Sequence, residues 1–514
     1  MGYLDINPAL DFSYPVAYSD TVKGIPNYMV EVNVLKNDYN PSGRDPTSFL
    51  FPSEEKITLS KIVVDNIYNR YYSVYGIKKE PRLSGDYGVG LLIVDIEHNN
   101  FYSVLDINNI NARFNCFGNH FEDYIKGDET FYVPANTNKR SCGSNALWFA
   151  GLDENGTVHA SAEMERINGK EFSHGPVSNQ YDSLFDVRWY HAWKLNRSDI
   201  EFHQANWWKP GYVPLDDILT WPGNGDTDNG QLDQIAPFFD LNENGIYEPM
   251  LGDAPHIKGD QAVYFVYNDV REEQHFTQGE NVGVEVHGMA YGYDMPEDSA
   301  LWNTIFVHYD IINRFNINYH DFSVGNTTYI DLGFDLDNYI ESDVQNSMYF
   351  AFNGSEIDGD TFSPEYYGYH PPAQGVILLG GPYLDDDGAD NPRFDNLGNP
   401  LCDYSFNGLN FGDGIIDNER YGMTNFLMSR DLPWYGNTYT DIECYHALNS
   451  IWKDHTHLLF GKNGHVSASA PGPEAKYFCP RNSDPVNWGT NGVWPNGGYN
   501  QNGFYWSGDN EGIN

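Results

Sequence analysis

Basic residues are scarce in this chain: 29 Lys and Arg stand against 73 Asp and Glu in 514 residues, a formal net charge of −44. That excludes nucleic acid as a partner class, because phosphate contacts need clustered Lys and Arg. Long apolar runs are also missing. The richest, Val89 to Ile96 and Val376 to Gly380, have the length of strands, so no transmembrane segment is expected. Cysteine is sparse: Cys116, Cys142, Cys402, Cys444 and Cys479 show no CxxC spacing, which sets aside zinc and redox sites built on neighbouring thiols. The sequence holds no GxSxG, HExxH or P-loop. Its start, Met1-Gly2-Tyr3-Leu4-Asp5, has no basic region followed by an apolar one and is not a signal peptide, so an exported chain would have had its export signal removed.

Aromatic side chains are abundant, at 16% of residues within a hydrophobic share of 40%, which is the material of packed cores and not of disorder. Gly (50) and Pro (28), with many Asn and Asp, punctuate short apolar runs and favour strands and turns over long helices. The expected fold is mainly β: a multi-domain β-sandwich architecture with a few short helices and calcium-binding loops. Three units are expected: an N-terminal β domain at 1–105, a β-rich domain with short helices at 106–270, and a β-sandwich with acidic loops at 271–514. In the first, Tyr28 to Asp38 alternates as a half-buried strand should. Strands are also expected at Ala112 to Phe117, Ala146 to Ala150, Ala262 to Tyr267, Val282 to Tyr291, Trp302 to Asn313 and Phe322 to Leu332. A hairpin turn is expected at Leu152 to Thr157. Ser198 with Glu201 reads as a capping box for a helix at 199–207, and a second short helix is expected at Leu215 to Thr220.

The sharpest chemical signal is Asp240-Leu241-Asn242-Glu243-Asn244-Gly245-Ile246-Tyr247-Glu248. Oxygen-bearing side chains fall at positions 1, 3, 5 and 9 with glycine at 6, the spacing that wraps calcium and lets the Ile246 carbonyl coordinate as well. Position 12 is Leu251 and not the bidentate Glu of an EF-hand, so the loop is dockerin-like and a seventh ligand is expected from Asp253 or from water. Two other acidic groups have calcium-compatible spacing: Asp385, Asp387 and Asp390 around Gly388, and Asp413, Asp417 and Glu419 around Gly414. A further set, Asp331, Asp335, Asp337 and Asp343, would close on a cation only if a loop folded over it. A disulfide between Cys116 and Cys142 is expected; extracellular conditions permit such a bond and also supply millimolar calcium. Glu285 and His287 share a strand face as an acid–base pair would, and His455 and His457 have a transition-metal spacing. Hydrogen-bonded strand faces and solvated histidines of this kind are far commoner than catalytic or metal sites.

Two resemblances add to this reading. Val34-Leu35-Lys36-Asn37-Asp38 resembles the VLxND segment of bacterial Ig-like and cadherin-like repeats. From about 106 to 475 the chain resembles large secreted or surface proteins of the Bacteroidota exported by the type IX secretion system. The resemblance is carried by Leu105 to Ala112, Ala146 to Leu152, Trp221 to Asp226, Ala236 to Asp240, Gly252 to Ala262, Gly283 to Tyr291, Asn303 to Phe306 and Phe411 to Arg420. It implies export across the outer membrane, calcium-stabilised β-domains and a place outside the cell, and it implies no reaction. Such proteins usually end in a small β-rich sorting domain, whereas this sequence stops at Gly512-Ile513-Asn514 before one. The expected function is that of an acidic, calcium-binding extracellular structural or adhesive protein of the cell surface. It would self-assemble as a filament or surface-layer subunit, or contact other cell-surface proteins. The alternative is a secreted polysaccharide-active enzyme or carbohydrate-binding module; a non-enzyme is favoured, and calcium is the one expected cofactor.

Overall fold

The computed structural model describes residues 101–123, 128–163, 171–334, 337–428, 438–461, 464–467, 472–479 and 488–490, together with the backbone of four strands in the first hundred residues. The chain divides into two units, Met1–Phe101 and Tyr102–Asn514. In the first, Ile62–Asp65, Arg70–Lys78 and Tyr87–Asp95 form an antiparallel run, and Asp20–Lys23 adds to Tyr87–Asp95 in parallel. The strand expected at Tyr28 to Asp38 lies outside the described residues.

The second unit is mainly β, with several antiparallel sheets and a few short helices. Its longest strand, Arg140–Leu152, is buried along almost its whole length, as a central strand covered on both faces must be, and its small residues Gly143, Ser144, Ala146, Ala150 and Gly151 leave room for what covers it. Val158–Ala162 pairs with it through the expected hairpin, Leu152 opposite Val158, and His320–Ile330 pairs antiparallel from Cys142 to Leu152. The Asp153 carboxylate fixes the hairpin turn by accepting the N–H groups of Asn155 and Thr157, each at 2.8 Å. A second sheet runs Ser173–His174, Gln261–Asn268, Val284–Gly292, Phe306–Asn313. The two sheets meet through aromatic rings: Phe114 stacks on Phe265 at 6.0 Å, and Phe172, just before Ser173, meets Phe149 of the first sheet edge-on at 6.1 Å. A neighbouring core gathers Trp189, Trp193, Trp221 and Tyr264.

Three expectations are corrected. The boundary at 270/271 does not exist, because Gln261–Asn268 pairs with Val284–Gly292 across all eight of its residues; sheet hydrogen bonds hold the two stretches in one body. The helix after residue 196 spans Arg197–Gln204 and its N-cap is Asn196, not Ser198. The preceding strand Trp193–Asn196 pairs with Gln261–Tyr264, and this pairing fixes where the helix begins. The Cys116–Cys142 disulfide is not formed. Phe131 lies between the two strands, opposite Cys142 on one side and Ala112 on the other, and Cys116 is four residues beyond Ala112. Two strand spacings of ~4.8 Å and four residues of ~3.3 Å place the cysteines far beyond the ~7 Å that a disulfide spans. The Cys142 thiol instead points to the carbonyl oxygens of Ser144 (3.4 Å) and Tyr329 (3.3 Å). The second short helix is Asp216–Leu219, as its proline-led start suggests.

Candidate metal centre

Two acidic groups that the sequence presents separately form one interlocked pair of loops. Asp390 reaches across to accept the N–H groups of Gly412 (2.8 Å) and Gly414 (2.7 Å), and Asp417 returns the favour by accepting Gly388 N–H at 2.8 Å. Backbone contacts close the same seam: Leu384 N–H donates to the Glu419 carbonyl and Asp417 N–H to that of Ala389. Asn391 N–H donates to Glu419 Oε1. Gly388 sits at φ +78° with open space around it, so the turn needs glycine for its backbone conformation and not for room.

This locking sorts the carboxylates. Asp390 and Asp413 spend their oxygens on backbone and side-chain donors; Asp413 takes Ile415 N–H (2.9 Å) and the Asn418 amide (3.1 Å). Asp385, Asp387 and Asp417 each offer an oxygen, and these lie within 4.8 Å of one another. Beside them, Glu419 is 1% exposed and its Oε2 is buried without a hydrogen-bond partner among the described residues. Desolvation first, then the charges of Asp387, Glu419 and Asp417, raise the Asp385 carboxyl above the ordinary carboxylate range. No Lys or Arg among the described residues forms an ion pair with any of the four: Arg393 and Arg420 donate to the carbonyls of Gly408 and Gly381. An all-oxygen, uncompensated set of this kind suits a hard cation. Asn391 Oδ1 and Asn418 Oδ1, buried and without hydrogen-bond partners among the described residues, add two neutral oxygens to the same seam. Sequence reasoning missed both, and their only signal was adjacency to the acidic residues.

The Asp240 loop is arranged differently. Asp240 Oδ2 accepts Gly245 N–H at 2.6 Å, Asn242 accepts Asn244 N–H at 3.1 Å, and Asn244 accepts Ile246 N–H at 2.7 Å. These turns coil the loop and leave Asp240 Oδ1 buried without a hydrogen-bond partner. Glu248 closes the far side, its Oε2 accepting the Asn244 amide at 2.8 Å. Asp253 is not placed as a ligand. It is fully buried, and its two oxygens accept Leu241 N–H (2.8 Å) and Glu248 N–H (2.7 Å), so it clamps the base of the loop. Asn242 and Asn244 are solvent-exposed, as is the Ile246 side chain, and this loop gathers fewer carboxylates than the paired loops do.

The Glu285/His287 and His455/His457 pairs engage protein neighbours. Glu285 is fully buried; Oε1 bonds His287 Nε2 at 2.7 Å, while Oε2 accepts Val177 N–H at 2.8 Å and pairs with Arg314. His455 packs edge-on against His446 at 4.8 Å and His457 faces Glu474 at 3.6 Å. Among the described residues the only group of three metal-ligating side chains that converge is Asp385, Asp387 and Asp417. Comparison with protein-family models, curated proteins and solved structures finds no match to this chain.

Proposed function

We propose that this chain is an extracellular structural or adhesive surface protein whose β-scaffold is rigidified by calcium and presents a face for self-assembly or for contact with other surface molecules. The observation that carries the reading is the paired acidic loop. Three converging carboxylates and the buried, open Glu419 oxygen sit together with no Lys or Arg partner among the described residues, an arrangement that costs stability until a cation enters. Calcium fits the oxygen-only donors and is present at millimolar levels outside cells and not in the cytosol. The acidity of the chain and its short-stranded sheets accord with the same setting. The resemblance to type IX secretion cargo points the same way.

The test is thermal unfolding in 2 mM calcium and in excess chelator, alongside metal analysis of the purified protein. Bound calcium with a clear rise in Tm is the expected result; no metal and no shift would end the calcium reading. The glycan-contact alternative is favoured by one feature. Trp208 is 58% exposed beside Trp207, at 5.8 Å between rings, and Phe202 is 60% exposed on the adjoining helix. Exposed aromatic faces of this sort can stack on sugar rings. Glycan-array binding and reducing-sugar release separate the two readings, since a purely structural subunit gives neither.

A further inference from the structure

A buried carboxylate pair lies away from the paired loops, at one end of the small sheet formed by Asn338–Asp343, Met348–Asn353 and Ala373–Ile377. Asp337 immediately precedes the first of these strands, and Asp358 sits in the short strand Ile357–Asp358 that pairs with Gly368–Tyr369. Both are buried, at 1% and 0% exposure. One side chain joins them: the Asn353 amide donates to Asp337 Oδ1 at 3.1 Å and to Asp358 Oδ1 at 3.3 Å. Since Asn353 closes the strand opposite Asn338, the sheet register itself fixes this spacing.

The two carboxylates are served unequally. Asp358 also accepts Phe334 N–H at 2.9 Å and Tyr367 N–H at 2.5 Å, and the positive charge of Lys139 acts on it from outside. Asp337 Oδ2 is buried with no hydrogen-bond partner among the described residues. Desolvation and then Asp358 push the Asp337 carboxyl up to about 6, against hydrogen bonds from Asn353 and Gly359. Gly333, at φ +74°, carries its backbone over the pair so closely that a Cβ there would lie 2.1 Å from Asp358 Oδ2. The pair is thus roofed by the chain and holds two negative charges a single amide apart. Burial of that kind is costly until a cation or a proton offsets it.

We propose that Asp337 and Asp358 form a second cation site, which takes a hard divalent ion of the calcium class between their carboxylates with the Asn353 amide as the spacing strap. N–H donors occupy the other carboxylate oxygens of the pair, and the buried Asp337 Oδ2 is the one left open, a hard anionic oxygen of the kind such an ion prefers. The site does not depend on the Asp385–Glu419 centre or the Asp240 loop, and its test fails separately from theirs.

The experiment is calcium stoichiometry and affinity by equilibrium dialysis at pH 7.5 on the full chain, for the unsubstituted protein, D337N, and the double variant D240N/D385N. D337N is expected to bind one ion fewer than the unsubstituted protein. The double variant, altered only in the two other acidic loops, is expected to keep one bound ion even if both loop readings are correct. A D337N protein with unchanged stoichiometry would overturn the site and leave a shared proton as what compensates the pair. Should D337N fail to fold, the double variant decides: no bound calcium in it overturns the proposal.

Discussion

Asp385→Asn separates a metal site from an acidic turn by the sign of its effect. Asp385 is exposed and takes no part in the hydrogen bonds that tie Asp390 and Asp417 to the opposite loop, so the substitution leaves the seam intact. Without metal, its charge is unwelcome beside Asp387, Glu419 and Asp417, and D385N in chelator is expected to match or slightly exceed the unsubstituted protein in Tm. With metal, the order reverses. A site of ~10 µM affinity in ~1 mM calcium contributes roughly 2.7 kcal/mol to folding. Unfolding entropy is roughly 2.1 cal/mol/K per residue, which for a cooperative unit of about 400 residues makes that contribution ~3 °C in Tm. Removal of one charged ligand that weakens binding tenfold takes away about 1.4 kcal/mol, about half of the shift. Differential scanning calorimetry in 1 mM calcium and in chelator, with isothermal titration of calcium into both proteins, reads both numbers. A D385N protein whose Tm falls equally in the two buffers would refute the reasoning, because the side chain would then act through contacts within the loop and not through an ion.

Two further outcomes follow from buried charges elsewhere. Arg314→Ala removes the cation paired with fully buried Glu285 and the donor to the Gly230 carbonyl, and is expected to cost about 3–5 kcal/mol in urea unfolding; a loss under ~1 kcal/mol would show that His287 alone compensates the carboxylate. Glu341, 4% exposed on the strand Asn338–Asp343, is pushed by burial from the ordinary 4.5 up to about 7. Its folded form holds the proton more tightly than the unfolded chain does. The stability it contributes is therefore complete below 4.5 and is lost as pH rises through about 7. E341Q should abolish that slope, with a ceiling of about 3 kcal/mol between the two proteins at pH 8; parallel pH profiles would remove Glu341 as the cause.

The fold was legible where the signal is local. The hairpin at Leu152–Val158 is written in Asp153, Asn155 and Gly156, whose turn chemistry needs no distant partner. The strands around Phe265 and Val286 are written in runs too short and too β-branched for helices. What failed was set from afar. The 270/271 boundary divided stretches that strand pairing joins, and the helix start moved to Asn196 because the strand before it is held by Gln261. The disulfide failed because sequence proximity does not reveal that Phe131 occupies the space between. At the site, carboxylate spacing identified the acidic residues. It did not tell which carboxylates the folded loops would occupy: Asp253, Asp390 and Asp413 resemble Asp240 and Asp385 in sequence, yet both oxygens of each accept N–H donors.

Three carboxylates, Asp240, Asp337 and Glu419, each keep one buried oxygen with no hydrogen-bond partner among the described residues, in three separate places of the second unit. The formal charge of −44 offers a competing account of any calcium effect, in which the ion merely screens the chain as a whole. Magnitudes separate the two. Three divalent ions change −44 by +6, to −38, so as neutralisers of the whole molecule they achieve little. Monovalent salt does that work better: at 1 M the screening length falls to about 3 Å. Yet screening acts on charges that water and ions can approach, and it leaves a dry oxygen without a ligand. Sodium chloride at 0.5 M is therefore expected to raise Tm in calcium and in chelator alike while the gap between them persists. Closure of the gap by sodium chloride alone would make calcium a general counterion, and the three buried oxygens would then need another explanation.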